Sequence, residues 1–323
     1  MPTPMLTPMP SRGSALTSAD GVLVVDKPAG WTSHDVVGRV RRLAGTRKVG
    51  HAGTLDPMAT GVLVLGLGRA TRLLGHLAAT RKTYAATARL GVRTVTDDAD
   101  GDVIERIPTG ALDAASVRAS AATLVGDIEQ VPSAVSAIKV GGERAYARVR
   151  RGESVALAAR AVTVYDLHLT DVRLGAEHTD IAFTVECSSG TYVRALARDL
   201  GRLLGVGGHL TELRRTRVGP FALAQASSLD RCADLIAAGE RLPLLDLTAV
   251  ARAVFPVVVC DAGQAVAVSH GRPIEISQQQ WAGADRSVDA RRLVALVDEQ
   301  DSLLALYRDV ASTARAEVVF RPA

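Results

Sequence analysis

The residue in this 323-residue chain best placed to do chemistry is Asp56. It lies in Gly50 to Gly61 (GHAGTLDPMATG), a stretch without hydrophobic periodicity and dense in Gly, Thr, Asp and Pro, which reads as a loop. Between Val36 and Thr96 there are eleven Lys and Arg residues, and Asp56 is the one carboxylate. That segment carries +10, so the rest of the chain, against an overall +4, carries −6. Neighbouring cations favour the charged form of a carboxyl, so Asp56 is expected to be ionised at neutral pH and to suit a nucleophile or general base better than a general acid. The alternative is an aspartate that only makes an Asx turn before Pro57. The basic segment suits a polyanion, drawn by phosphate contacts and counterion release; the alternative is a solvated basic face.

Other chemistries find little support. No His, Cys, Asp or Glu cluster has metal-ligand spacing, and His51 near Asp56 is not a site by itself. Cys187, Cys232 and Cys260 lie far apart and fit neither a disulfide framework nor a zinc site, so free buried thiols are expected. Gly66-Leu67-Gly68-Arg69 lacks a Walker lysine and the rest of a dinucleotide fingerprint. What remains is an enzyme with one carboxylate, no metal and no redox cofactor, in a basic cleft. Isomerisation or hydrolysis of a nucleic acid fits that description.

The elements that must position Asp56 form an α+β pattern. Gly21 to Asp26 reads as a strand, and Ser33 precedes a helical pattern of Val36, Val37, Val40 and Leu43. Val62 to Leu67 continues the loop as a strand, Arg69 to Ala79 looks helical, and Lys82 to Leu90 alternates as a strand before the turn Asp97 to Gly101. Residues 114 to 125 are Ala-rich and helical, and Ala161 to Leu174 and His178 to Glu186 read as longer strands. Ser189-Gly190-Thr191 can cap a helix from Tyr192 to Leu204 with a buried stripe of Leu196, Leu200 and Leu203. One more helix spans roughly 228 to 238. From about Ala251 the elements look short and β-like, with Gly263, Gly271 and Pro273 at turns. The expected organisation is a disordered tail over 1–18, a catalytic domain over 19–245 and a small β-rich domain over 250–323. The proline-rich first 18 residues lack an apolar signal region, and runs such as Leu293 to Val297 are far shorter than the ~20 residues of a membrane helix, so a cytoplasmic protein is expected.

The loop GHAGTLDPMATG closely resembles the catalytic loop of bacterial tRNA pseudouridine-55 synthases, the TruB family. The likeness extends through Asp26-Lys27-Pro28 with Gly30, Lys82-Thr83-Tyr84, Arg89-Leu90-Gly91, Thr96 to Gly101, and Pro132-Ser133 with Ser136 to Lys139. It continues through Gly142, Tyr146, Ala147-Arg148, Gly190 to Arg194 and Leu213-Arg214-Arg215. These pieces keep the family order over about residues 20 to 220. Ser133 stands where the family often has a second proline, and the likeness weakens beyond Phe221.

The resemblance implies a pseudouridine-synthase-type catalytic domain, with a central mixed or antiparallel sheet flanked by helices, and a C-terminal PUA-like domain from Phe255 to about Val319. It implies an isomerase that breaks the N-glycosidic bond of a T-loop uridine in tRNA, turns the base and rejoins it through carbon, with no cofactor. Asp56 is then the catalytic aspartate, Arg194 its partner and Tyr84 the platform for the flipped base. His51 enters the space the base leaves, while Lys27, Tyr192 and Leu213 line the pocket. Core packing for Tyr84 and a loop-stabilising bond for His51 are the plainer alternatives. Arg198 and Arg202 read as a solvated or phosphate-facing surface, and Trp31 as packing. The expected partner is the T arm and elbow of tRNA, bound by a single chain without guide RNA or membrane. An RNA-folding chaperone and a guide-dependent synthase are the competing readings.

Overall fold

The structure is a computed structural model that describes residues 20–133, 139–140, 143–144, 157–277, 280, 293–310 and 313–320. The tail over 1–18 and, among the motif positions, Ser136, Ala137, Ile138, Gly142, Tyr146, Ala147 and Arg148 lie outside the described residues.

A mixed sheet organises most of the chain. Its strands are β1 (Gly21–Lys27), β2 (Val49–His51), β3 (Thr60–Leu67), β4 (Lys82–Leu90), β5 (Gly126–Gln130), β6 (Arg160–Arg173), β7 (Thr179–Cys187) and β8 (Gly208–Val218), with a two-residue strand, Phe221–Ala222, paired to the end of β8. The main path runs β1-β3-β8-β4-β7-β6-β5, with β2 paired to β3. Neighbours are antiparallel except β3 and β8, which meet in parallel through Thr60 with Arg214 and Gly61 with Arg215. The loop carrying Asp56 enters β3 at that parallel junction.

Strand β4 alternates buried and half-buried residues, so Tyr84, Ala86, Ala88 and Leu90 face one side. The helices α3 (Ala114–Ala122) and α4 (Val193–Leu203) cover that side, burying Val117, Leu196 and Leu200 with them. β1 and β3 read as continuous apolar runs because both faces are covered. Leu23, Val25, Leu63 and Leu65 pack against α1 (Ser33–Leu43) and α5 (Leu229–Ala237), joined by the buried, free Cys232. Val22, Val24, Val62 and Val64 share a second core with Val250, Val254, Phe255, Leu293 and Ala295 of the C-terminal part. Arg72 Nη1 and Arg69 Nη1 donate to the carbonyls of Val319 and Phe320 at 2.6 and 3.1 Å, tying the last strand to the same seam.

Most expected elements are present within about three residues, but the strands β2, β5 and β8 had no counterpart in the sequence reading, and four further details differ. Arg69 to Ala79 is divided into a 3₁₀ turn over Gly68–Leu73 and a short helix α2 (Leu74–Ala78). The N-cap of α4 is Tyr192, with no side-chain cap of its own; the Gln130 amide takes that place, accepting from Tyr192 N–H at 2.8 Å. Leu203 is 51% exposed, because the stripe turns outward in the last turn of α4. The C-terminal part is less purely β than expected. A four-stranded sheet, β9 (Val257–Val259), β10 (Leu293–Val297), β11 (Leu303–Val310) and β12 (Thr313–Val319), is joined by helices α6 (Leu247–Val254) and α7 (Ala262–Ser269). Asp246 caps α6 and Asp261 with Gln264 closes a capping box on α7, signals that outweigh the high valine content.

Candidate active site

The loop around Asp56 is held from three directions. The Ser33 hydroxyl, at the start of α1, donates to Leu55 O at 3.1 Å and accepts from Leu55 N–H at 2.9 Å. Lys27 Nζ, at the end of β1, donates to the carbonyls of Pro28 (2.9 Å), Trp31 (2.6 Å) and Pro57 (3.2 Å). Arg215, buried in β8, sends Nη1 to Thr54 O at 3.1 Å, Nη2 to Gly53 O at 3.3 Å and Nε to Val62 O at 2.7 Å. A loop without regular structure thus has its backbone groups satisfied by buried side chains, which is what a fixed catalytic position requires. Where it meets β8, Gly61 has φ +103°, and a Cβ there would stand 2.2 Å from Arg215 O. Only glycine lets the two parallel strands close.

Arg194, in the first turn of α4, is 4% exposed and lies between two carboxylates. Its Nε is 3.0 Å from Asp56 Oδ2 and its Nη1 is 3.1 Å from Asp98 Oδ2, while Nη1 also donates to Thr96 O at 2.9 Å. A cation at the positive end of a helix is unfavourable, and the two acids offset it. The Asp97-Asp98 turn is itself pinned by Arg198, which reaches Asp97 Oδ2 at 3.1 Å and Val131 O at 2.7 Å. Arg198 is therefore a brace rather than a phosphate-facing residue, whereas Arg202 is exposed. Burial pushes the Asp56 carboxyl above the ordinary range; Arg194 and Lys27 pull it down and Asp98 pushes it up again. The expected pull of nearby cations is present, but burial opposes it and the nearest cation, Arg194, is shared with a second acid.

Asp56 and Arg194 form part of the wall of a cavity of about 260 Å³ that Lys82, Tyr84, Tyr192, Leu213 and Arg215 also line. Tyr84 is 7% exposed, with its hydroxyl on the Arg215 guanidinium, and burial raises its pKa. Lys27 and His51 are not among the lining residues. Lys27 is fully buried beneath the loop, and burial holds its pKa down to about 8. His51 ends β2, half-buried, with its pKa lowered by burial and by Arg215. Trp31 packs against the α1 core, and the three cysteines are free and buried. Among the described residues no three His, Cys, Asp or Glu side chains come together as a metal site, and no helix is long and apolar enough to cross a membrane.

Sequence reading passed over Asp98, Ser33, Lys82 and Arg215 as parts of the site. Asp98 stood in plain view in TDDADG, but the same letters spell a turn, and only the fold carries it to a residue 96 positions away.

The TruB family pseudouridylate synthase N-terminal domain model matches residues 41–193, and the tRNA pseudouridylate synthase B C-terminal domain model matches residues 194–257. The division falls between Asp56 and Arg194, so the site needs both parts. The tRNA pseudouridine synthase B of Arthrobacter sp. (strain FB24) is 53% identical over 94% of this chain and 97% of its own, and that of Thermobifida fusca (strain YX) 58% identical over 80% and 88%. In the crystal structure of a Cbf5-Nop10-Gar1 complex, one chain superposes with a TM-score of 0.69 at 27% identity, over 94% of this chain and 85% of that one. The fold and its matches define a pseudouridine synthase, an isomerase. The chain belongs to the TruB family of these enzymes.

Proposed function

We propose that this chain isomerises the uridine at position 55 in the T loop of tRNA, with Asp56 as the catalytic carboxylate. The observation that carries the reading is the Asp56–Arg194 ion pair in the wall of an open cavity that Tyr84 and Arg215 also line. The position and the tRNA follow from the resemblance and from the names of the relatives.

A uridine inside a folded loop must be extruded before it can react, and an aromatic face then holds it. Tyr84 supplies that face, and Leu213 and Tyr192 bound the base on other sides. His51, largely neutral at physiological pH because its pKa is lowered, stacks in the RNA where the base had been. Arg194 fixes the rotamer of Asp56 against the sugar. Lys27 acts from beneath, through the Pro57 carbonyl and through its charge. The catalytic domain spans 19–245, and the unit over 250–323 is a PUA-like domain that contacts tRNA away from the reacting base. The enzyme works in the cytoplasm as a single chain, without guide RNA or cofactor. Because the loop is opened and re-formed, the same contacts also assist tRNA folding.

The test is site-resolved pseudouridine mapping of an unmodified tRNA transcript incubated with the purified protein alone. One new pseudouridine at position 55 is expected. Faster refolding of the tRNA without any pseudouridine would replace the isomerase by the chaperone reading.

A further inference from the structure

Lys82 opens β4 opposite Cys187, is 6% exposed and lines the cavity beside Tyr84 and Arg215. Its ammonium donates to Ala78 O at 2.6 Å and Thr80 O at 2.7 Å. These bonds use two of its three N–H groups, and both acceptors are neutral. Among the described residues no carboxylate pairs with it. Burial and the nearby Arg215 charge hold its pKa down to about 8, so folding works against this cation. Capping the carbonyl end of α2, a five-residue helix, does not require a charge buried in the wall of a reaction cavity. A buried cation without a counter-charge, in a cleft, marks a place where negative charge arrives.

The isomerisation itself produces such a charge. When the C1′–N1 bond breaks, the bonding pair leaves with the base, giving a uracil anion delocalised over N1, O2 and O4. Asp56 deals with the sugar, by adding to C1′ or by taking the 2′ proton. After the turn, C5 bonds to C1′ as the Asp56–C1′ bond breaks or as Asp56 returns the 2′ proton to C2′; the C5 proton is then lost and N1 gains one, so Asp56 is regenerated and no atom is gained or lost overall. Between the two bonds the anion rotates, and no fixed fork of donors can follow it. Arg215 has its fork committed to the carbonyls of Val62, Thr54 and Gly53. An ammonium is a point charge with rotating donors, and its attraction does not depend on the orientation of the base.

We propose that Lys82 is a catalytic residue whose ammonium stabilises the detached uracil anion while the base turns. This rests on the isomerase reading above. The experiment compares full-length wild type, Lys82→Met and Lys82→Arg on tRNA transcripts carrying uridine or 5-fluorouridine at the target, by the single-turnover rate at which the N-linked nucleoside disappears, a step open to both bases although 5-fluorouridine has no C5 proton to lose afterwards, and by tRNA dissociation constant. Lys82→Met is expected to lose about 100-fold in rate, the size seen when one preorganised charge-stabilising group is removed, with tRNA affinity unchanged. Lys82→Arg is expected to recover part of the loss. The deficit is expected to narrow with 5-fluorouridine, whose anion is intrinsically more stable and leans less on the cation. Should Lys82→Met not fold, Lys82→Gln takes its place. A deficit of equal size with both bases would mean a structural role, and a loss confined to salt-dependent affinity would mean a phosphate contact; either overturns the proposal. Wild type forming no pseudouridine in the same assay would instead overturn the reading on which it rests.

Discussion

Arg194 and Asp98 are joined at 3.1 Å behind the Asp56–Arg194 pair, so the guanidinium that holds Asp56 is itself held by an acid from a different part of the chain. The arrangement needs a planar group with donors in two directions, which an ammonium cannot supply. Arg194→Lys is therefore expected to slow single-turnover formation of pseudouridine by about 100-fold, corresponding to one or two charge-assisted bonds. Binding of tRNA should stay within a few-fold of wild type. A lysine variant with full rate would show that charge alone suffices.

Ser33 both donates to and accepts from Leu55, and its removal leaves a buried carbonyl and a buried N–H without their partner. Ser33→Ala should cost about 2 kcal/mol of stability by denaturant unfolding. The same change should slow the reaction about tenfold or more, because it loosens the residue next to Asp56. Loss of stability at an unchanged rate would separate the clamp from catalysis.

Gly61 and Gly30 make a controlled pair. Both have positive φ, but a Cβ at Gly61 collides with Arg215 O, whereas a Cβ at Gly30 has no neighbour within 4 Å. Gly30→Ala should cost about 1 kcal/mol from backbone strain alone, and Gly61→Ala several times that. Thermal unfolding of the two variants side by side checks the order. Equal losses would mean that β3 and β8 have room to separate.

Lys27 titrates near pH 8 in the folded chain, against an ordinary lysine value of 10.5 once the chain is unfolded. Between those values the unfolded chain binds the proton that the folded chain has released, so stability rises with pH across the window and is flat below it. Compared with Lys27→Met, the wild type should therefore gain stability from pH 8 to 10.5 in urea unfolding. A difference that stays constant through that range would place the folded-state pKa near its ordinary value.

Much of the site could be read before the structure because its chemistry is local. The loop from Gly50 to Gly61 announces itself by composition, β4 by strict alternation, and α4 by the spacing of Leu196 and Leu200. What could not be read is long-range. That Arg194 meets Asp98, that Arg215 turns inward onto Gly53 and Thr54, and that Lys82 is buried with no carboxylate partner among the described residues all depend on strand order, above all on the parallel junction of β3 and β8. Local patterns also misled where two signals competed. The chain from about Ala251 suggested short strands, yet the Asp246-capped helix runs on to Val254 and Asp261 caps another over Ala262–Ser269. The resemblance put Lys27 on the pocket wall, but three carbonyls hold it beneath the loop, away from the lining residues.

The central claim, that Asp56 carries the reaction, is tested most directly by Asp56→Asn, which keeps the size of the side chain and removes its charge. Pseudouridine mapping of an unmodified tRNA transcript should show no product at position 55 with this variant, under conditions where wild type converts it completely. Binding of the same transcript should be largely preserved. Pseudouridine formed by Asp56→Asn at a rate close to wild type would contradict the account and move the search for the catalytic group elsewhere in the cavity.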